Sequence, residues 1–112
     1  MKKTKLGEFE EMVLLVVVVL REKAYGVEIK RELEARLKEQ LSVGSIQSAL
    51  KRMEEKGFLN SEFGEATNKR GGKRKRIYTA TPFAQMVLKE LKEIRAGLWE
   101  SIPTNEVALK TI

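Results

Sequence analysis

TNKRGGKRKR, Thr67 to Arg76, begins just past Phe58–Phe63 and runs into Lys75–Ala80, and those two flanking runs read as short strands. Strand, long polar loop and strand make a β-hairpin with a basic tip. The stretch holds Lys69, Arg70, Lys73, Arg74, Lys75 and Arg76 and no acid. The chain has 22 Lys+Arg against 16 Asp+Glu, net +6, so the whole excess of charge equals these six residues around the Gly71-Gly72 turn. A solvated charged turn is the plain reading of such a run. A run that holds the entire net charge between two strands reads better as a phosphate-binding surface.

Upstream, three segments read as helices. In the first, about Leu6 to Arg21, the four valines Val16–Val19 favour a strand by propensity. Phe9, Met12, Val13, Val16 and Leu20 nevertheless keep helical spacing, and Glu8, Glu10 and Glu11 suit a helix N-terminus. So dense an apolar run in so small a domain implies that a partner chain covers one face. The second helix opens at Ala24-Tyr25-Gly26 and runs to about Gln40, with Ile29, Leu33 and Leu37 inward. The third starts after Ser42, a plausible N-cap, with Ile46, Ala49, Leu50 and Met53 inward, and Gly57 ends it. Downstream, Thr81-Pro82 pairs an N-cap with proline at the first helical position. The last helix runs to about Glu100, and Phe83, Ala84, Val87, Leu88, Leu91, Ile94 and Leu98 form a seam for another helix.

Composition closes off most chemistry. The chain, 112 residues, is one domain, and 42% hydrophobic with 34% charged residues suits a folded protein. It has no Cys and no His, and every acid is Glu. Disulfides, thiolate metal sites, imidazole bases and the usual catalytic triads are thereby excluded. No pair of Glu residues is placed for acid–base work. No metal site and no cofactor are expected. The apolar run Met12–Leu20 is nine residues long, whereas a membrane span needs about twenty. With acids among its leading lysines and no small-residue cleavage site after it, that run reads as a buried element of a cytoplasmic protein.

Three helices followed by a hairpin wing is the winged helix-turn-helix order, in which the third helix enters the DNA major groove. Small or hydrogen-bonding side chains near the start of that helix let it approach base edges. Ser45, Gln47, Ser48 and Lys51 are the base-contact candidates, and Gln47 suits adenine. Their plain alternative is a solvent-facing helix surface. The backbone candidates are Tyr25, Arg52, Lys69, Arg70, Lys73, Arg74, Lys75 and Arg76, of which strand alternation turns Lys75 or Arg76 elsewhere. Tyr25 opens the second helix, where N–H groups face an anion, or else is a core tyrosine.

The sequence resembles the PadR family of bacterial transcriptional regulators over about Leu6 to Leu98. The carrying stretches are LGEFEEMVLL (Leu6–Leu15), AYGVEIKREL (Ala24–Leu33), SVGSIQSALKRMEEKGFL (Ser42–Leu59) and RGGKRKRIYTATPFA (Arg70–Ala84). The tyrosine-glycine opening and the Arg-Gly-Gly-basic wing are the most specific. The resemblance implies a homodimer on double-stranded DNA, usually a repressor, with no catalytic activity. It also implies an effector site in which Trp99 stacks a small planar molecule between subunits, in a cavity lined by Phe9 and Met12; ordinary interface packing is the plainer role for all three. Gln47 stands where the family commonly has tyrosine, which bears on the bases read. The C-terminal helical region is short, and no separate effector domain is recognisable.

The expected fold is mostly α with a small β-hairpin, a winged helix-turn-helix plus a C-terminal dimerisation helix. Residues 1–81 form the DNA-binding domain, with the wing at about 58–80; 82–101 form the dimerisation helix and 102–112 a tail. The expected function is a sequence-specific, homodimeric regulator, a repressor on a pseudo-palindromic operator. Its rivals are a small-molecule-sensing module with the ligand at the dimer interface and a winged-helix protein–protein interaction module.

Overall fold

The computed structural model describes residues 5–64 and 75–103. In order these form α1 (Glu8–Leu20), a 3-10 turn (Arg21–Lys23), α2 (Gly26–Leu37), α3 (Val43–Glu55), β1 (Leu59–Phe63), β2 (Arg76–Ala80) and α4 (Pro82–Glu100). This is the winged helix-turn-helix order.

The four valines are helical, as periodicity and not propensity dictates. The buried stripe of α1 is Glu10, Val13, Leu14, Val16 and Val17, rotated slightly from the expected one, so that Met12 is exposed and Leu14 and Val17 are buried. Helix α2 ends at Leu37, three residues before the expected end. Lys38 adopts a left-handed conformation (φ 59°, ψ 42°) and its N–H bonds Glu34 O at 2.7 Å, closing the helix. Glu34 then holds the turn into α3: its carboxylate accepts from Leu41 N–H at 2.8 Å and from Lys30 Nζ at 2.9 Å. The Leu41 N–H, followed by the Lys30 bond, pulls the Glu34 pKa down.

Helix α3 ends in a Schellman motif. Gly57, at φ 88°, supplies the left-handed residue, Gly57 N–H bonds Glu54 O at 3.1 Å, and Phe58 N–H bonds Met53 O at 2.9 Å. The antiparallel hairpin pairs Leu59 with Ala80 through Phe63 with Arg76. Tyr25 bridges to Ile77, and Tyr78 N–H bonds Ala24 O at 3.0 Å, so the entry to α2 acts as a third edge of the wing. Thr81 Oγ1 accepts from Ala84 N–H and donates to Gly57 O, fixing α4 to the end of α3. Phe83 stacks on Phe58 with centroids 5.1 Å apart.

Val13, Leu14, Val17, Ile29, Leu33, Ile46, Leu50, Met53, Phe58 and Leu59 fill the core. One acid joins them. Glu10 is only 4% exposed. It accepts from Gly7 N–H at 2.9 Å, Arg52 Nε at 2.8 Å and Lys56 Nζ at 3.1 Å. Burial alone would raise its pKa; the Gly7 N–H, then Arg52 and Lys56, outweigh burial and hold it below the ordinary value.

Glu10→Gln is therefore expected to lower stability at pH 7 by about 1–2 kcal/mol in urea titrations. The loss stays below the ~3–5 kcal/mol of a fully buried pair because Arg52 and Lys56 keep access to water. A depressed folded pKa contributes stability above the unfolded value, about 4.3, and that stability is lost as pH falls through the folded value. The gap between wild type and variant should thus close on acidification; a gap that widened at low pH would contradict the assignment.

Candidate nucleic-acid interface

Helix α3 owes its placement to its two ends and its inner face. Ser42 Oγ accepts from Ser45 N–H at 3.0 Å, and Ser45 Oγ donates back to Ser42 O at 2.9 Å. Ile46, Ala49, Leu50 and Met53 are buried. A 3.6-residue period then sets Gly44, Ser48 and Lys51 opposite the core, and all three are exposed. No heavy atom lies within 4 Å of where a Gly44 side chain would begin, so a partner surface meets only backbone there.

The other expected site residues separate onto the two shoulders of this face. Ser45 is engaged in the N-terminal cap. Arg52 turns toward α1 and spends its Nε on Glu10, a partner 42 residues away that no local pattern announces. Gln47 turns to the opposite shoulder, toward the first turn of α2 and the root of the wing. There it shares a cleft of about 230 Å³ with Tyr25, Gly26, Lys75 and Arg76. Glu54 accepts from Ser61 Oγ at 2.8 Å, and Ser61 Oγ accepts from Arg76 at 2.8 Å. This relay joins α3 to both wing strands.

Lys75 and Arg76 leave the strand pair in different directions. Lys75 Nζ lies 5.9 Å from the centre of the Tyr25 ring. Arg76 stacks its guanidinium 4.4 Å from the Phe63 ring, its cross-strand partner. Tyr25 packs against the root of the wing at Gly64, where a side chain would meet its hydroxyl at 3.4 Å. Burial, with the Glu54 charge adding to it and Arg76 opposing it, pushes the Tyr78 phenol pKa up. Lys69, Arg70, Lys73 and Arg74 lie outside the described residues.

Trp99 is 64% exposed and lines a shallow cleft with Arg95, Leu98 and Ile102. Phe9 packs against the core, Met12 is partly exposed, and neither lines that cleft. A larger groove of about 650 Å³ runs between α1 and α4 beside Leu15, Leu88 and Arg95, and Arg95 bonds Glu11 across it at 2.8 Å. Among the described residues no cluster of acids is placed to hold a metal, and no helix is long and apolar enough to cross a membrane.

Residues missed in the sequence include Glu10, Gly26 and Ser61. Glu10 had a signal: it falls on the i, i+3, i+4, i+7 stripe with Val13, Leu14 and Val17, and an acid on a buried stripe demands a cation.

The helix-turn-helix, the hairpin bound to it and the exposed face of α3 define a winged-helix regulator. The model of the transcriptional regulator PadR-like family matches residues 14–90, and the chain belongs to that family. It is thus a transcriptional regulator and not an enzyme. It is similar to a PadR family regulator of Eggerthella lenta DSM 2243, at 27% identity over 83% of this chain and 80% of that one, with a TM-score of 0.62. A PadR family regulator of Clostridium difficile R20291 is also 27% identical, over 80% and 91%, with a TM-score of 0.58. A PadR-like transcription factor of Bacteroides fragilis, 22% identical over 88% of each chain, shares the fold at a TM-score of 0.68. No curated protein matches the chain.

Ser42→Ala should lower stability by about 1 kcal/mol and Ser42→Gly by only a few tenths, read from chemical denaturation midpoints. No loss in the Ser42→Ala variant would mean that the hydroxyl is not the cap.

Proposed function

We propose that the protein is a homodimeric, sequence-specific DNA-binding repressor acting on a pseudo-palindromic operator. The observation that carries this reading is the bare outer face of α3. Gly44, Ser48 and Lys51 stand clear of the domain, with Gln47 on one shoulder and a chain of excess positive charge following β1. Side chains of this kind reach base edges in the major groove, while Lys75, Arg76, Tyr25 and the cations Lys69, Arg70, Lys73 and Arg74 hold phosphates. Arg52, bound to Glu10, contributes less to phosphate contact than its place on the helix implies.

The dimer is supported by one stripe. Ala84, Val87, Leu88 and Leu91 of α4 are wholly or partly covered by the domain; the same stripe continues through Ile94, 59% exposed, and Leu98, 65% exposed. A second α4 covers such a stripe, and Leu15, Val18 and Val19 of α1 extend the apolar surface. Two copies of α3 then address half-sites about one helical turn apart. A planar effector between protomers is the second reading, favoured by the exposed Trp99 ring beside Leu98.

Selection of bound duplexes from random and genomic DNA tests the reading. It should enrich a two-fold symmetric motif, and binding without enrichment would refute site specificity. Gln47→Ala should change the enriched bases. Arg74→Ala should weaken all duplexes alike and reduce the salt slope by about one. Leu98→Glu should sediment as a monomer and bind the selected site at least about tenfold more weakly; a dimer that survives it places the interface elsewhere. Flat aromatic compounds should quench Trp99 fluorescence if the effector reading holds.

A further inference from the structure

Gly26 is the first residue of α2, outside the helix that reads DNA, and it lies against the one side chain of α3 best suited to choose a base. A methyl group on Gly26 would stand 3.0 Å from Gln47 Nε2. That is closer than carbon and nitrogen settle without movement, and what it meets is the far end of a flexible side chain and not backbone. The domain therefore tolerates a side chain at residue 26 by moving the Gln47 amide. Clefts flank this contact on both sides. One is shared with Tyr25, Lys75 and Arg76 at the wing root, and the other, smaller, with Val27, Lys30 and Val43. The Gln47 amide, on an exposed side chain, has space on either side of this contact to be displaced into.

We propose that Gly26 is a specificity-positioning residue: its missing side chain seats the Gln47 amide beside the first turn of α2, and this seat fixes which base Gln47 prefers. The inference rests on the reading of α3 as the recognition helix. A glutamine discriminates through two hydrogen bonds with fixed geometry. Displacing the amide by a few tenths of an ångström, or into the neighbouring rotamer, misaligns both bonds. Phosphate contacts made by the wing do not depend on this seat. The backbone at Gly26 is ordinary helix, with φ negative, so alanine there is the better helix former and the variant folds.

The test is a double-mutant cycle on the full chain. Wild type, Gly26→Ala, Gln47→Ala and the double variant are each put through duplex selection, followed by affinity measurements on the winning site and on its single-base variants. Gly26→Ala should have a thermal midpoint equal to or above wild type. It should lose about fivefold or more of the discrimination at the Gln47 base while binding unrelated duplexes as wild type does. In the Gln47→Ala background the same change should have no further effect on preference. If Gln47→Ala shifts the motif and Gly26→Ala does not, the proposal is wrong and the recognition helix stands. If Gly26→Ala weakens every duplex equally in both backgrounds, the glycine serves close backbone approach to phosphate, and the proposal is overturned. If Gln47→Ala leaves the motif unchanged, the assignment of Gln47 fails, and the proposal falls with it.

Discussion

The buried carboxylate of Glu10 is the constraint on which the placement of α3 depends. A charge removed from water must be met by partners, or it costs more than the core returns. Glu10 is met three times: by Gly7 at the start of its own helix and by Arg52 and Lys56 of α3. Apolar packing by Ile46, Leu50 and Met53 holds α3 against the core without fixing its rotation closely. Two directed bonds to one fixed carboxylate do fix it. Given that rotation, Arg52 must face α1, Ser48 and Lys51 must face outward, and Gln47 must face the wing and the start of α2. The outer surface is thus a consequence of an inner ion cluster.

Much of the fold was legible because its signals are local. Ser42, Gly57, Thr81 and Pro82 act within a turn of their own positions, and each marks a helix boundary at which the backbone has unsatisfied groups. The valine run of α1 was legible by period, since burial on one side of a helix outweighs the weak strand preference of valine. The end of α2 was less so. Lys38 takes a left-handed conformation that sequence assigns to Gly or Asn, and the helix stops three residues early because Glu34 draws Leu41 back toward it.

The candidate site was legible as a set of residues and not as an arrangement. Ser45, Gln47, Ser48, Lys51 and Arg52 are neighbours in sequence, but the fold divides them among three directions. The divisions come from contacts between residues far apart in the chain: Arg52 with Glu10 and Gln47 with Gly26. Charge counting could not find them, because a cation consumed by an internal acid and one free to meet phosphate look the same in composition. An acid near a helix start likewise looks like a partner for the helix dipole until its burial is known.

Helix α1 has a further position in the architecture that follows from two adjacent acids. Glu10 faces inward and binds α3; Glu11, one residue and about 100° around the helix, faces α4 and binds Arg95 at 2.8 Å. The helix that aims the exposed face and the helix whose apolar stripe runs past the domain therefore meet the same rigid element through neighbouring side chains. Between α3 and the outer half of α4, α1 adds a second path of directed contacts to the one at Thr81 and Gly57, with Val13, Leu14 and Val17 packed into the core behind it. Arg95 thus meets α1 at Glu11, one residue from the carboxylate that holds Arg52 and Lys56. An apolar α1 without these acids would pack as well. It would leave the face of α3 that meets α1 to side-chain shape alone, with Glu54–Ser61 and Thr81–Gly57 as the directed bonds that tie the end of α3 to the wing and to α4.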